Sequence, residues 1–205
     1  MARQSGMTLI ELLVVLAIIG MLSIIAVPLS ARLLHRMDLD SSARELMLTL
    51  QRTRMAAMGS TLRVGQTAAD TTTMMLNSYR FQPDYGGDPE DAPVRFEVIN
   101  DATGDELTGL PRRFPDGIRW LRPDDVPAVP IVHAELVVEI VFRPNSTAQI
   151  YELDPNSGNA APFAGSGVLY IRNPHAEARA IEITPSGNVR LWRYDRDGAD
   201  WERAN

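Results

Sequence analysis

Few residues in this chain have the types and spacing that chemistry can use. Glu11 is a carboxylate at the mouth of an apolar run, with no charged residue among the twenty from Leu12 to Ala31. An ionised carboxylate there costs a few kcal/mol unless it finds a positive partner or snorkels to an interface. Asp195, Asp197 and Asp200 offer hard oxygens at spacings Ca²⁺ accepts, but the bidentate Glu that closes a calcium loop is not at its place. Arg190, Arg193 and Arg196 interleave with Trp192 and Tyr194, a mixture that suits phosphate contact and base stacking on single-stranded nucleic acid. The same pattern also arises from simple strand alternation, with Val189, Leu191 and Arg193 on one side. The three aspartates that follow would repel phosphate. His35, His133 and His175 lie far apart and match no metal spacing.

The remaining chemistry is excluded more simply. There is no Gly-rich phosphate loop, no GxSxG and no HExxH. There is no Cys, which removes disulfides, thiolate catalysis and Cys-based zinc sites. The formal net charge of −6 provides no global basic field for nucleic acid. All 20 basic residues are Arg, so basic contacts can be planar and bidentate. The acidic stretch at 84–91 reads as a solvated loop. The expectation is a protein that is not an enzyme and uses no cofactor.

The elements that position these residues follow from periodicity. As a helix, the run Leu12–Ala31 extends about 30 Å, the thickness of a hydrocarbon core. It is apolar on all faces, which a buried helix of a soluble domain rarely is. This predicts a span or an anchor. A conventional secretory signal would have a shorter apolar core and a small-residue cleavage site after it; here ARLLHRM follows. Arg3 precedes the run and Arg32 and Arg36 follow it, so charge does not choose an orientation. Pro28 is expected to kink the helix. Beyond it, Leu39, Ala43, Leu46, Leu50, Thr53 and Ala57 fall on one helical face. The spacing predicts helix to about Met58, with Gly59 as C-cap. From Ser60 the period changes to strands, expected at 61–65, 74–82, 94–100, 118–121, 134–144, 148–153, 167–173, 179–184 and 188–194. Helix followed by many strands predicts an α+β fold: one long helix, membrane half plus amphipathic half, packed against an antiparallel sheet head.

The stretch Gly6-Met7-Thr8-Leu9-Ile10-Glu11-Leu12-Leu13-Val14-Val15-Leu16 resembles the prepilin signature of the type IV pilin-like family. The resemblance implies cleavage after Gly6 by a prepilin peptidase and N-methylation of Met7, where Phe is usual. Glu11 then becomes the fifth residue of the mature chain, pairing with the N-terminal amine of a neighbouring subunit. A bend at Pro28 would shape subunit packing. The ending VFRPNSTAQIYELDPNSG…GVLYIRN…RAIEITPSGNVRLWRY, and LQRTRMAAMGSTLRV at 50–64, resemble the GspH/FimT group of minor pilins.

That resemblance implies a minor pseudopilin of type II secretion, or alternatively a FimT-like minor pilin of a type IV pilus serving assembly or DNA uptake. A nucleic-acid-binding module is a third reading. The implied partners are other pilins or pseudopilins, the prepilin peptidase, an inner-membrane assembly platform and membrane lipid, with DNA a lesser candidate through Arg190 and Arg193. The implied organisation is a leader at 1–6, a transmembrane helix at 7–31, its amphipathic continuation at 32–59 and a β-rich head at 60–205. The implied location is a single pass of the bacterial inner membrane, with the head in the periplasm.

Overall fold

A computed structural model describes residues 9–59, 78–85, 94–107, 114–121, 127–154, 156–195 and 200–204, without the side chains of 25–29. The expected strand at 61–65 and the start of that at 74–82 lie outside the described residues, as do Gly6 and Met7.

One helix, α1, runs from Leu9 to Gly59, 51 residues and so about 77 Å long. Its two halves differ in what surrounds them. From Leu9 to Ile24 the described side chains are exposed on every side. From Leu39 onward one face is covered: Leu39, Ala43, Leu46, Leu50, Thr53 and Ala57 are fully buried. This is the stripe that the helical period singles out. The hydroxyls along the helix are satisfied locally. Thr53 Oγ1 donates to the Thr49 carbonyl at 2.8 Å, and Ser23 Oγ to that of Ile19 at 2.8 Å.

The covered face packs on two five-stranded antiparallel sheets where the sequence reading expected one. In order, the first is β2 (Arg95–Asn100), β1 (Tyr79–Asp84), β4 (Val137–Phe142), β5 (Ala148–Leu153) and β6 (Ala160–Phe163). The second is β10 (Asp200–Arg203), β9 (Val189–Asp195), β8 (Ala178–Ile183), β7 (Gly167–Arg172) and β3 (Arg119–Trp120). The central strands β7 and β8 are almost wholly buried. Their two faces serve different cores. Leu169, Ile171, Ile181 and Ile183 join the helix stripe and Phe81, Ile140, Phe142 and Ile150 of the first sheet. Val168, Tyr170, Ala178 and Ala180 turn the other way, onto Trp192, Trp201, Leu121 and Val129. A sheet buried on both faces needs two covering layers, which is why the strands separate into two sheets.

The turns tie the sheets to the helix. The Ala148 amide donates to the Pro185 carbonyl at 2.9 Å, joining the β4–β5 turn to the β8–β9 turn. Arg54, near the end of α1, reaches both, donating to Ser146 Oγ, to the Ser186 carbonyl and to Asn188 Oδ1. Gly187 has φ +75°, and a Cβ there would overlap the Ser146 carbonyl oxygen. Only glycine serves this close approach.

Candidate functional site

Glu11 stands in the first turn of α1, on the exposed apolar stem. A helix N-terminus favours negative charge, so the carboxylate suits its place in the helix even though its neighbours are apolar. Pro28 lies within the bounds of α1, which is helical on both sides of it. Its side chain is among those not described, and the kink stays an expectation. Among the described residues no helix is long and apolar enough to cross a membrane. The described part of the stem, Leu9–Ile24, is shorter than the about 20 residues a bilayer core takes.

Of the arginines singled out in the sequence, Arg190 and Arg193 are not brought together: they sit on β9 at positions of opposite parity and point to opposite faces of the second sheet, and Arg196 lies outside the described residues. Arg190 shares its face with Trp192, and the two converge on the buried carboxylate of Glu182. Arg190 Nη1 lies 3.5 Å from Glu182 Oε1, and Trp192 Nε1 donates to Oε2 at 2.9 Å. Arg193 turns towards the helix, with Nη2 3.8 Å from Asp40 Oδ2. Around Arg190 the structure gathers residues that the sequence did not connect. A groove of about 480 Å³ between α1 and the start of β9 is lined by Arg44, Arg190 and Arg203 over Met47, Val189 and Leu191. The Arg203 guanidinium lies 5.3 Å from the Trp192 ring centre.

Asp195 and Asp200 pair directly across the β9–β10 hairpin. The stretch weighed for Ca²⁺ is therefore entered and left by strands, and Asp197 lies outside the described residues. Among the described residues no three side chains of metal-ligating type are gathered.

A buried ion pair between helix and head was not visible in the sequence. Arg179, on the helix-facing side of β8, is 3% exposed in its side chain and donates from Nε to Asp40 Oδ1 at 2.7 Å. Burial pulls its pKa below the usual guanidinium range, and Asp40 opposes that pull. Asp40 thus faces two arginines, Arg179 and Arg193. Close by, the rings of His35 and His175 meet edge to face at 5.2 Å, 140 positions apart in the chain. His133 is elsewhere, its Nε2 3.1 Å from the Tyr170 hydroxyl. Burial pushes that phenol up to about 12.

Residues 1–27 match the prokaryotic N-terminal methylation motif. No curated protein and no solved structure matches the chain. The motif places a type IV pilin-like prepilin leader ahead of α1, and the described chain behind it is a helix followed by an antiparallel two-sheet head, an α+β architecture consistent with a pilin-like fold.

Proposed function

We propose, from the premise of that leader, that the chain is a minor pseudopilin of a type II secretion system, of the H type: a structural subunit of a periplasmic pseudopilus that promotes protein export across the outer membrane. In this reading residues 1–6 are the leader, 7–31 the membrane helix, 32–59 its docked continuation and 60–205 the periplasmic head. The observation that carries it is the methylation motif running directly into a 51-residue helix whose far half holds a β-sheet head. The stem is apolar on all sides, so it needs lipid or other stems around it. The chemistry of the site is assembly. Cleavage between Gly6 and Met7 creates an amine, and the Glu11 carboxylate, costly in an apolar setting, is neutralised by a neighbour's amine. The pair forms only between subunits, so it favours assembly and leaves folding alone.

A second reading, a FimT-like minor pilin of a type IV pilus, is favoured by the Arg44–Arg190–Arg203 groove, which has no carboxylate among the described residues of its lining and could follow a phosphate backbone. Neighbouring genes separate the two: a secretion ATPase and outer-membrane channel on one side, pilus retraction and competence genes on the other.

The test is the fate of Glu11→Val. The mature protein is expected to lack residues 1–6 and to carry N-methylated Met7 by intact mass. Glu11→Val is expected to be cleaved, membrane-associated and folded, yet to lose most of its crosslinking to partner subunits. A mature chain that still begins at Met1 would overturn the pilin-like reading. Normal crosslinking of Glu11→Val would overturn the role of the carboxylate.

A further inference from the structure

Where the bare stem ends and the head begins, a cleft of about 720 Å³ opens beside α1. One wall is Arg32 and Arg36, one turn apart on the helix and both exposed. The facing wall is the β7–β8 turn, with His175 and Glu177, held to the helix by the His35–His175 ring contact. The far wall is β9–β10, with Arg193 and Glu202.

Three features of this cleft point to one ligand chemistry. Arg32 and Arg36 are like charges at i, i+4, which repel each other, and among the described residues neither has a salt bridge to offset this. Asp40, one helical turn beyond Arg36, is already engaged by Arg179 and Arg193. A phosphate between Arg32 and Arg36 would relieve the repulsion and accept planar bidentate bonds. The cleft is also not uniformly basic. Away from Arg32 and Arg36 its lining holds Glu177, Asp195 and Glu202, while its other two arginines, Arg179 and Arg193, are engaged by Asp40, so that part of the cleft offers carboxylates to an ammonium. Finally, Arg32 directly follows Ala31, the last residue of the uncharged run, so the arginines stand at the depth where lipid headgroups lie if that run is in the bilayer.

We propose that this cleft seats the headgroup of a zwitterionic glycerophospholipid, its phosphodiester between Arg32 and Arg36 and its ammonium towards Glu177 and Glu202. The inference rests on the membrane reading of the stem. It assigns the juxtamembrane face of the head a lipid-docking role that would set the head's height and rotation above the bilayer.

The test uses the full chain in mild detergent, with phosphatidylethanolamine or phosphatidylglycerol added, observed by native mass spectrometry. The wild type is expected to retain one phosphatidylethanolamine. Arg32→Ala with Arg36→Ala should lower the bound fraction about tenfold, one lost charge-assisted contact being worth at least that. Glu177→Gln with Glu202→Gln should shift preference towards phosphatidylglycerol. Equal retention by wild type and the arginine variant, or a wild-type preference for phosphatidylglycerol, would overturn the proposal. So would a cleft that takes inorganic phosphate and no lipid. Carbonate extraction of cell membranes separates this from failure of the premise. Wild type in the soluble fraction sinks the membrane reading itself, whereas wild type in the pellet with no lipid retained sinks only the headgroup site.

Discussion

Leu16 and Leu50 belong to the same helix and the same residue type, but Leu16 is 59% exposed and Leu50 is fully buried. The neighbours of Leu16 on α1 are apolar all round. Those of Leu50 alternate between a buried stripe and exposed Arg44, Glu45 and Arg52. The docked half obtains its stability from the head by burying one face. The described side chains of the stem, Leu9–Ile24, are all exposed, so its stability depends on what surrounds it. A helix of this length can therefore be divided by function: one half belongs to the fold, the other to an environment outside the chain.

That division predicts its largest effect at the boundary residues of the core. Leu50→Ala should destabilise the head by about 2–5 kcal/mol, the usual range for emptying a packed site, against a total of about 5–15 kcal/mol. Leu16→Ala should leave head stability unchanged. Denaturant unfolding of the full chain in detergent, followed by the fluorescence of Trp120, Trp192 and Trp201, reads the head alone, since all three tryptophans are in it. Equal effects of the two substitutions would mean that stem and head unfold as one unit.

Much of this plan was legible because it rests on periods. The stripe from Leu39 to Ala57 has helical spacing and is buried as a set. The strand at 148–153 was read to the residue, and those at 94–100, 167–173 and 179–184 to within one at each end. What periodicity could not reach were pairs made by the fold. Asp40 and Arg179 are 139 positions apart, and Arg54 and Asn188 are 134 apart. Nothing in either neighbourhood signals the other. Strands β6 and β10 were not read from the sequence; both lie at sheet edges, and β6 contains Pro162, which suits an edge. The division of Arg190 and Arg193 between faces was readable from parity. Their different partners, Glu182 and Asp40, were not.

Glycines sharpen the same comparison at a smaller scale. Gly187 sits with φ +75° in the turn that Arg54 clamps, where a Cβ would meet the Ser146 carbonyl oxygen. Gly187→Ala should cost the head about 1–3 kcal/mol through backbone strain and the forced shift of the two turns. Gly20, in the stem, has nothing within 4 Å of where its Cβ would be. Gly20→Ala should leave the head untouched and favour the stem helix by up to about 1 kcal/mol. One substitution thus has opposite signs in the two regions, read by head unfolding and by far-ultraviolet circular dichroism respectively. A stabilised head from Gly187→Ala would show that the Arg54 clamp does not set the turn.

The smallest effect concerns a second glutamate. Glu11 is proposed to pair with the amine of another subunit; Glu139, on the outer face of the first sheet, is paired within its own chain: Arg80 Nη1 lies 3.4 Å from its Oε2, and Gln82 Nε2 donates to the same oxygen at 3.4 Å. Arg80 is shared with Asp101, at 3.0 Å. Burial raises the Glu139 carboxyl above the ordinary glutamate range. Arg80 pulls it back and the nearby Asp101 adds to the rise. The folded state therefore holds this proton more tightly than the unfolded state does. Its contribution to stability is full below the unfolded value and is lost as pH rises through the folded one. As pH rises from the ordinary glutamate value through the folded one, the wild-type head should lose a little stability from this group, a small loss because Arg80 is half exposed and water screens the pair. Glu139→Gln keeps the shape and the Gln82 contact and should flatten that part of the profile, measured as Tm against pH in the full chain. A steeper profile in the variant would mean that Arg80 outweighs burial and that the carboxylate stabilises the sheet when ionised.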